Sequence, residues 1–228
     1  MSKKQFRHLF MSVEGVNCET LYFKHVAKLI TESDSAKYGL KLDPRVARPL
    51  DFAKRNHFKP RDSYKRRPLP YIHIQDIEDY YDEEQKAKFY GIIDEMRDVK
   101  EQFNISYEFG YSNYTFELWL LSHVADMNYA VSDRYAYLEK INKWFGRHFQ
   151  SLEEYKKENE FQSILDEFVT LDSVFNAIER AEIIVQKNED NKKVRENYRN
   201  FTFYHDNPDI SVHNVVKLMF EICAVKRQ

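Results

Sequence analysis

Apolar and polar positions alternate along this chain with two different periods. Residues Arg7–Val13 (RHLFMSV) form a short apolar-rich run ending at Glu14-Gly15, the pattern of a buried strand entering a turn. Over Glu19–Thr31, apolar residues at Leu21, Tyr22, Val26, Leu29 and Ile30 recur at helical spacing. Leu69–Gln75 (LPYIHIQ) predicts a second strand, Glu83–Gln102 a helix and Ile105–Phe109 a third strand. The first two strands both deliver acids at their carboxyl ends. Glu14 follows the first, and DIEDYYDEE (residues 76–84), with six acids in nine residues, follows the second.

Ser112 and Asn113 have the chemistry of helix caps for the run TFELWLLSHVADM, whose Phe116, Trp119, Leu120 and Val124 predict deep burial. The remainder reads as helical. Asp172 or Ser173 suits the cap of VFNAIERAEIIV, and Asn207-Pro208-Asp209 offers N-cap, N1 and acidic N2 residues before VVKLMFEICAV. The order β, α, β, α, β, then helices predicts an α/β sandwich around a mostly parallel sheet flanked by helices. The length suits a single domain over 1–228, with an α/β core over 1–125 and a mainly helical part over 126–228.

Between Gly39 and Pro70 the periodicity dissolves, and residues 40–70 read as a basic insertion. Lys41–Arg67 holds ten Lys or Arg against three Asp, punctuated by Pro44, Pro49 and Pro60, with Pro68 just beyond. Lys54, Arg55, Lys59, Arg61, Lys65, Arg66 and Arg67 interleave with Phe52, Phe58 and Tyr64. Cations with aromatics suit a phosphate backbone with exposed bases; the plainer reading is a solvated loop that balances the acidic block.

Composition narrows the class. With 43% hydrophobic residues, 16 Tyr and 17 Phe, the chain can build a core that a disordered segment could not. A net charge of −2 says nothing about a partner, so the signal lies in how the charges are distributed. Cys18 and Cys223 form neither a disulfide framework nor a metal knuckle, as expected of reduced thiols in a cytoplasmic protein. The basic opening MSKKQFRHLFMSVEG has only a short apolar stretch, broken by Arg7 and His8, and does not read as a secretory signal. No apolar run is long enough to span a membrane. The five glycines form neither GxxxxGK[ST] nor GxGxxG, so any ATP-driven step is expected from a separate ATPase protein.

The chemistry centres on Glu14 with Asp76, Glu78 and Asp79. In an open α/β sheet, ligands gather beyond the carboxyl ends of neighbouring strands. Carboxylates converging there without cations from the chain would require a hard divalent ion such as Mg²⁺. The ion would stabilise charge on a phosphoryl group, while Glu14 exchanges a proton with the nucleophile or the leaving group. The alternative is that DIEDYYDEE is a solvated helix start favoured by the macrodipole. Glu117, within an apolar run, is either a buried acid salt-bridged to an Arg or a further site acid that orients the Ser112-Asn113 loop. His123 reads as a packing residue. Without HxxxH or HExxH spacing, zinc is not expected.

Val13-Glu14-Gly15 followed by Cys18-Glu19-Thr20-Leu21-Tyr22-Phe23 resembles the opening EGxxTExxYF pattern of the RloB-like family. Asp76-Ile77-Glu78-Asp79 resembles that family's D-x-D-D block, and residues 112–123 (SNYTFELWLLSH) are similar to its SNPCFELWLLLH signature. NAIERA (176–181) and NPDISVH (207–213) resemble its closing elements. The resemblance implies a Toprim-like core and a Mg²⁺-dependent nuclease, with Mn²⁺ as a substitute ion, in prokaryotic phage defence and abortive infection beside an ATPase partner. It implies Glu14, Asp76 and Glu78 as catalytic and metal-binding residues, supported by Glu19, Asp79, Glu117, Ser112 and Asn113. The substrate would be DNA or RNA, tRNA included. A non-catalytic sensor or adaptor that binds an ATPase or a phage component is the reading from another class. The chain departs from the pattern at Cys18 (usually Thr), Glu78 (usually Asp), Tyr114-Thr115 (usually Pro-Cys) and Ser122 (usually Leu); the first two bear on the geometry of the metal shell.

Overall fold

The computed structural model describes residues 4–227. The first apolar run is broken at Phe10 into β1 (Phe6–Leu9) and β2 (Met11–Val13), so it is two strands and not the single strand expected. After α1 (Cys18–Glu32) come β3 (Gly39–Leu42) and β4 (Arg45–Val46). β1 pairs in parallel with β3 outside the main sheet, whereas β2 enters it. The basic insertion is more ordered than its sequence suggested. It contains α2 (Pro49–Asn56), started by Pro49 and seated on buried Phe52 and Ala53, then the hairpin β5 (Ser63–Tyr64) and β6 (Arg67–Pro68).

β7 (Tyr71–Asp76) is the centre of the fold. It is followed by α3 (Glu83–Phe103), whose N-cap Asp82 accepts from the amides of Glu84 and Gln85 at 2.9 and 3.0 Å. β8 spans Tyr107–Asn113, so the third strand runs through Ser112 and Asn113, which are therefore not helix caps. The helix behind it, α4 (Glu117–Leu121), is one short turn-and-a-half and not the long helix expected.

Four helices follow: α5 (Ala136–Phe145), α6 (Leu152–Tyr155), α7 (Glu158–Phe168) and α8 (Leu171–Asp190). The cap of α8 is Thr170, in a reciprocal capping box with Ser173, and neither Asp172 nor Ser173 holds that place. The hairpin β9 (Arg195–Tyr198) and β10 (Phe201–Tyr204) interrupts a stretch that had read as helical. Asp209-Ile210, expected in a helix start, forms β11 antiparallel to β8, and the last helix, α9 (Val212–Cys223), begins after it. The reason is tertiary: Asp209 is buried and accepts from Tyr111 Oη at 2.6 Å and the Tyr204 amide at 2.8 Å.

The central five-stranded sheet has the order β11-β8-β7-β2-β4, parallel throughout except for β11. Strands covered on both faces need apolar residues at nearly every position, which is why β2 and β7 read as unbroken runs. Ile72 and Ile74 pack toward α1 and the C-terminal helices, while Tyr71 packs against α2 and α3. His73 lies on the Tyr71 side, stacked on Phe109. On β8, Gly110 faces α9: an added methyl would stand 2.7 Å from Ile74 Cδ1 and 3.3 Å from the Val212 backbone. No helix among the described residues is long and apolar enough to cross a membrane.

Two outcomes follow from this packing. Gly110→Ala should lower the unfolding free energy by about 1–3 kcal/mol, seen as a lower urea midpoint at unchanged slope, because α9 cannot retreat without opening the core. Burial pushes His73, His123 and His213 down to about 4 from 6.5. A depressed histidine contributes stability that is present above 6.5 and lost as pH falls toward 4. His213, whose Nδ1 has no partner, is the simplest to remove. His213→Leu should flatten the loss of stability between pH 6.5 and 4 in urea titrations; an unchanged slope would show that His213 is not the proton acceptor.

Candidate functional site

Parallel pairing sets Val13 beside Ile74, so both strands end together and their acids emerge at one edge of the sheet. The Glu14 amide donates to Ile74 O at 3.1 Å. Alternation along the strands then separates the side chains. Glu14 falls on the α3 side, where its Oε2 accepts from the Gln75 side chain and from the Asp76 amide at 3.2 Å. Asp76 belongs to the α1 side, with Ile72 and Ile74, and there it meets Glu19 and Glu117.

These residues line a cleft of about 320 Å³: Glu14, Glu19, Asp76, Glu78, Glu117 and Lys156 supply its charges. Glu19, on the first turn of α1, is buried, and its carboxyl fills the space beside Gly15. A Cβ at Gly15 would lie 1.8 Å from Glu19 Oε2. Gly15 O accepts from Thr20 Oγ1 at 3.3 Å, closing the turn over the helix start.

Glu117 is 1% exposed and carries the cleft's strongest ion pair. Lys156 Nζ lies 2.8 Å from its Oε1, which also accepts from Tyr155 Oη, while Oε2 has no partner. Burial raises the Glu117 carboxyl, but the charge and hydrogen bond of Lys156 outweigh it and hold the group below its ordinary value. The other acids shift upward. Desolvation, then Glu117 and Glu14, pushes Glu19 to about 7. Asp76 is driven well above the carboxylate range by burial, then by Glu19, Glu14 and Glu117, and its Oδ1 is buried without a partner. Glu14 is raised by desolvation and by Glu78 against its two hydrogen bonds.

The remaining expected residues are less central. Glu78 lines the cleft from the left-handed region (φ 55°), uncommon outside glycine; its amide donates to Tyr114 O at 2.8 Å and its carboxyl pairs with Arg134 at 3.1 Å. Asp79 lies outside the cleft and accepts from the Tyr81 amide at 3.0 Å. Ser112 acts through its backbone, accepting from Ile77 N at 3.0 Å, and Asn113 Nδ2 donates to His205 O. His123 packs as expected, with Nε2 3.1 Å from Tyr22 Oη.

The basic segment is not brought to the cleft. Tyr71, at the start of β7, donates to Asn56 O at the end of α2 and lies beneath the Arg61 guanidinium. Lys54 through Arg67 thus gather at the amino end of β7, about 17 Å from Asp76 along the strand. Of the seven cations there, only Lys65 is held in an ion pair, with Glu221, among the described residues.

Lys156, Tyr155 and Arg134 were missed. Lys156 follows α6 as its C-cap, in a charged stretch that carries no pattern, and it supplies the buried acid Glu117 with the ion pair expected, from a Lys and not an Arg. Among the described residues, no three His, Cys, Asp or Glu side chains stand as a ready-made metal cage. Even so, the two unpartnered buried oxygens, on Asp76 and Glu117, and the mutual repulsion among Asp76, Glu19 and Glu14 fit a hard cation that takes few protein ligands.

The architecture and the cleft define an α/β protein with carboxylates collected at the carboxyl edge of a mostly parallel sheet. The profile of the family described as RloB-like protein matches residues 9–219, nearly the whole chain, and the chain belongs to that family. No curated protein and no solved structure matches it.

Lys156→Met leaves Glu117 buried without its countercharge. The variant should lose about 2 kcal/mol, less than a fully buried pair because Lys156 is 42% exposed. Adding Glu117→Gln should recover most of the loss in urea unfolding at pH 7. A double variant as unstable as the single one would assign Lys156 a packing role only.

Proposed function

We propose that this protein is a Mg²⁺-dependent nuclease of Toprim-like design acting in prokaryotic phage defence. The observation that carries the reading is the cleft at the ends of β2 and β7. There Asp76, Glu14, Glu19, Glu78 and Glu117 meet two paired cations, Lys156 and Arg134, while Lys88, itself paired with Glu84, acts on Glu14 through its charge; two buried carboxylate oxygens have no partner among the described residues. Mg²⁺ needs only one or two carboxylates and keeps several waters, so a preformed cage of three is not required. Asp76 is the first ligand in this reading. Glu14, Glu78 and Glu19 supply others directly or through retained water, and Mn²⁺ can take the ion's place. When bound, the ion neutralises charge on a phosphodiester under attack.

The chain's own groups do the rest. Glu14 holds a proton more readily than an ordinary carboxylate and stands at the cleft mouth, where it can exchange one with the attacking or leaving oxygen. Lys156 keeps Glu117 ionised, and Arg134 fixes Glu78. A nucleic-acid substrate is supported by the cations at the other end of the sheet. There Lys24, Lys28, Lys41 and Lys59 line a groove of about 580 Å³ that continues the basic segment. An ATP-driven step, if the system uses one, belongs to a separate ATPase partner, since the glycines form no phosphate loop.

The test is cleavage of plasmid DNA, RNA and total tRNA with Mg²⁺ or Mn²⁺, with and without the ATPase, beside Asp76→Asn. Asp76→Asn should reduce cleavage at least a hundredfold, on the order of losing a principal catalytic group. It should also abolish the rise in melting temperature that Mg²⁺ gives the native protein. Equal cleavage by the two proteins would reject the assignment. A defence phenotype unaffected by Asp76→Asn would favour the sensor or adaptor reading.

A further inference from the structure

Along the carboxyl edge of the sheet, three hollows share walls. Glu78 lines both the acidic cleft and a cavity of about 260 Å³ that holds Arg134. Tyr114 lines that cavity and a larger one of about 430 Å³ lying farther from the acids. The larger cavity takes no part in the chemistry above, and its walls are unusual for a protein surface.

Its faces are aromatic. Tyr80 stacks on His205 with ring centroids 5.1 Å apart, and Tyr81 meets the same imidazole edge-on at 5.7 Å. Tyr81 is 69% exposed, yet its hydroxyl is tied to Asp206 at 2.8 Å, and Tyr129 is 43% exposed. Flat rings held open to water keep an unfavourable apolar area exposed unless something planar covers them. The polar lining consists of amides and amines. Asn128 and Asn191 offer amide groups that make no side-chain hydrogen bond among the described residues, and Lys187 is exposed at the rim. Lys193 Nζ is steered inward by the carbonyls of Asn207 and Asp206 at 3.2 and 3.5 Å.

Ring faces suit a planar heterocycle, free amides suit its donor–acceptor edge, and lysines suit an attached phosphate. A base stacked in a duplex shows neither face, so the cavity can accept only one that is unstacked. We infer that the Tyr81–Tyr129 cavity receives an unstacked base of a single-stranded nucleic acid whose backbone continues past Tyr114 and Glu78 to the acidic cleft. The position of the backbone rests on the nuclease reading; the base pocket itself rests on the cavity.

Binding can be measured apart from catalysis by fluorescence anisotropy in a chelator, using labelled single strands of roughly 12 nucleotides and their duplexes. The native protein should bind the single strand and prefer it to the duplex. Tyr81→Ala with Tyr129→Ala should weaken binding roughly tenfold or more, since each stacked base contributes about 1–3 kcal/mol. Tyr81→Phe with Tyr129→Phe should restore it. Because both rings are exposed, unfolding midpoints should stay unchanged. Equal binding by the native and Ala proteins, loss of binding in the Phe variant, preference for the duplex, or no binding at all would each overturn the pocket. Continued metal-dependent cleavage in any of those cases would leave the nuclease reading standing without it.

Discussion

The parallel pairing of β2 with β7 decides where every charged group of the cleft must go. Both strands are covered on both faces, so their registers are fixed by burial, and the first charged side chains appear where the cover ends. Glu14 and Asp76 occupy that boundary. Because side chains alternate, the two acids leave the sheet edge on opposite sides: Glu14 is held by Gln75, while Asp76 is pressed against Glu19 and Glu117. The helical half of the chain answers this concentration of charge. Tyr155 and Lys156, at the end of α6, reach Glu117, and Arg134, before α5, reaches Glu78. The C-terminal part is therefore both a cover for one face of the sheet and the source of the cations that make its acidic edge tolerable.

The polar ends of the sheet differ in sign. Acids collect beyond the carboxyl ends of the strands, and the cations of the basic segment collect beyond the amino ends. In a near-neutral chain this separation produces a strong local field at each end with little net charge. A polyanion would be attracted to one end and would need a counter-ion at the other. The aromatic cavity beside the cleft supplies a contact that does not depend on charge.

The two strands and the acids that follow them were legible in the sequence, because a strand buried on both faces leaves a mostly apolar run and the first acidic residue marks its end. The facing of those acids was not, since register with the neighbouring strand is a long-range property. Ser112 and Asn113 illustrate the limit: short polar side chains suit a helix cap, but they serve equally inside a strand when Asp209-Ile210, far along the chain, arrives to pair with them. The same pairing took Asp209 out of the helix start it resembled. Lys156 gave no signal because its role exists only once α6 is folded against α4. The basic residues were visible as a group, and because the run leads directly into the second strand, it had to lie toward that strand's amino end, away from the acids at its carboxyl end. The β9–β10 hairpin stayed hidden in a polar stretch whose apolar face consists of Tyr198, Phe201 and Phe203 packed toward α3.

The turn between β2 and α1 has a consequence for how this protein can change. The carboxyl of Glu19 occupies the volume where any side chain at position 15 would begin. The two positions therefore behave as a single three-dimensional letter spelled across five residues. A larger residue at 15 must displace the Glu19 carboxyl from its place in the cleft. A shorter residue at 19 opens a hole that glycine cannot fill. Variation at 15 is therefore coupled to where the acid of 19 can stand, so the turn drifts through sequence space more readily along a narrow diagonal than by independent moves.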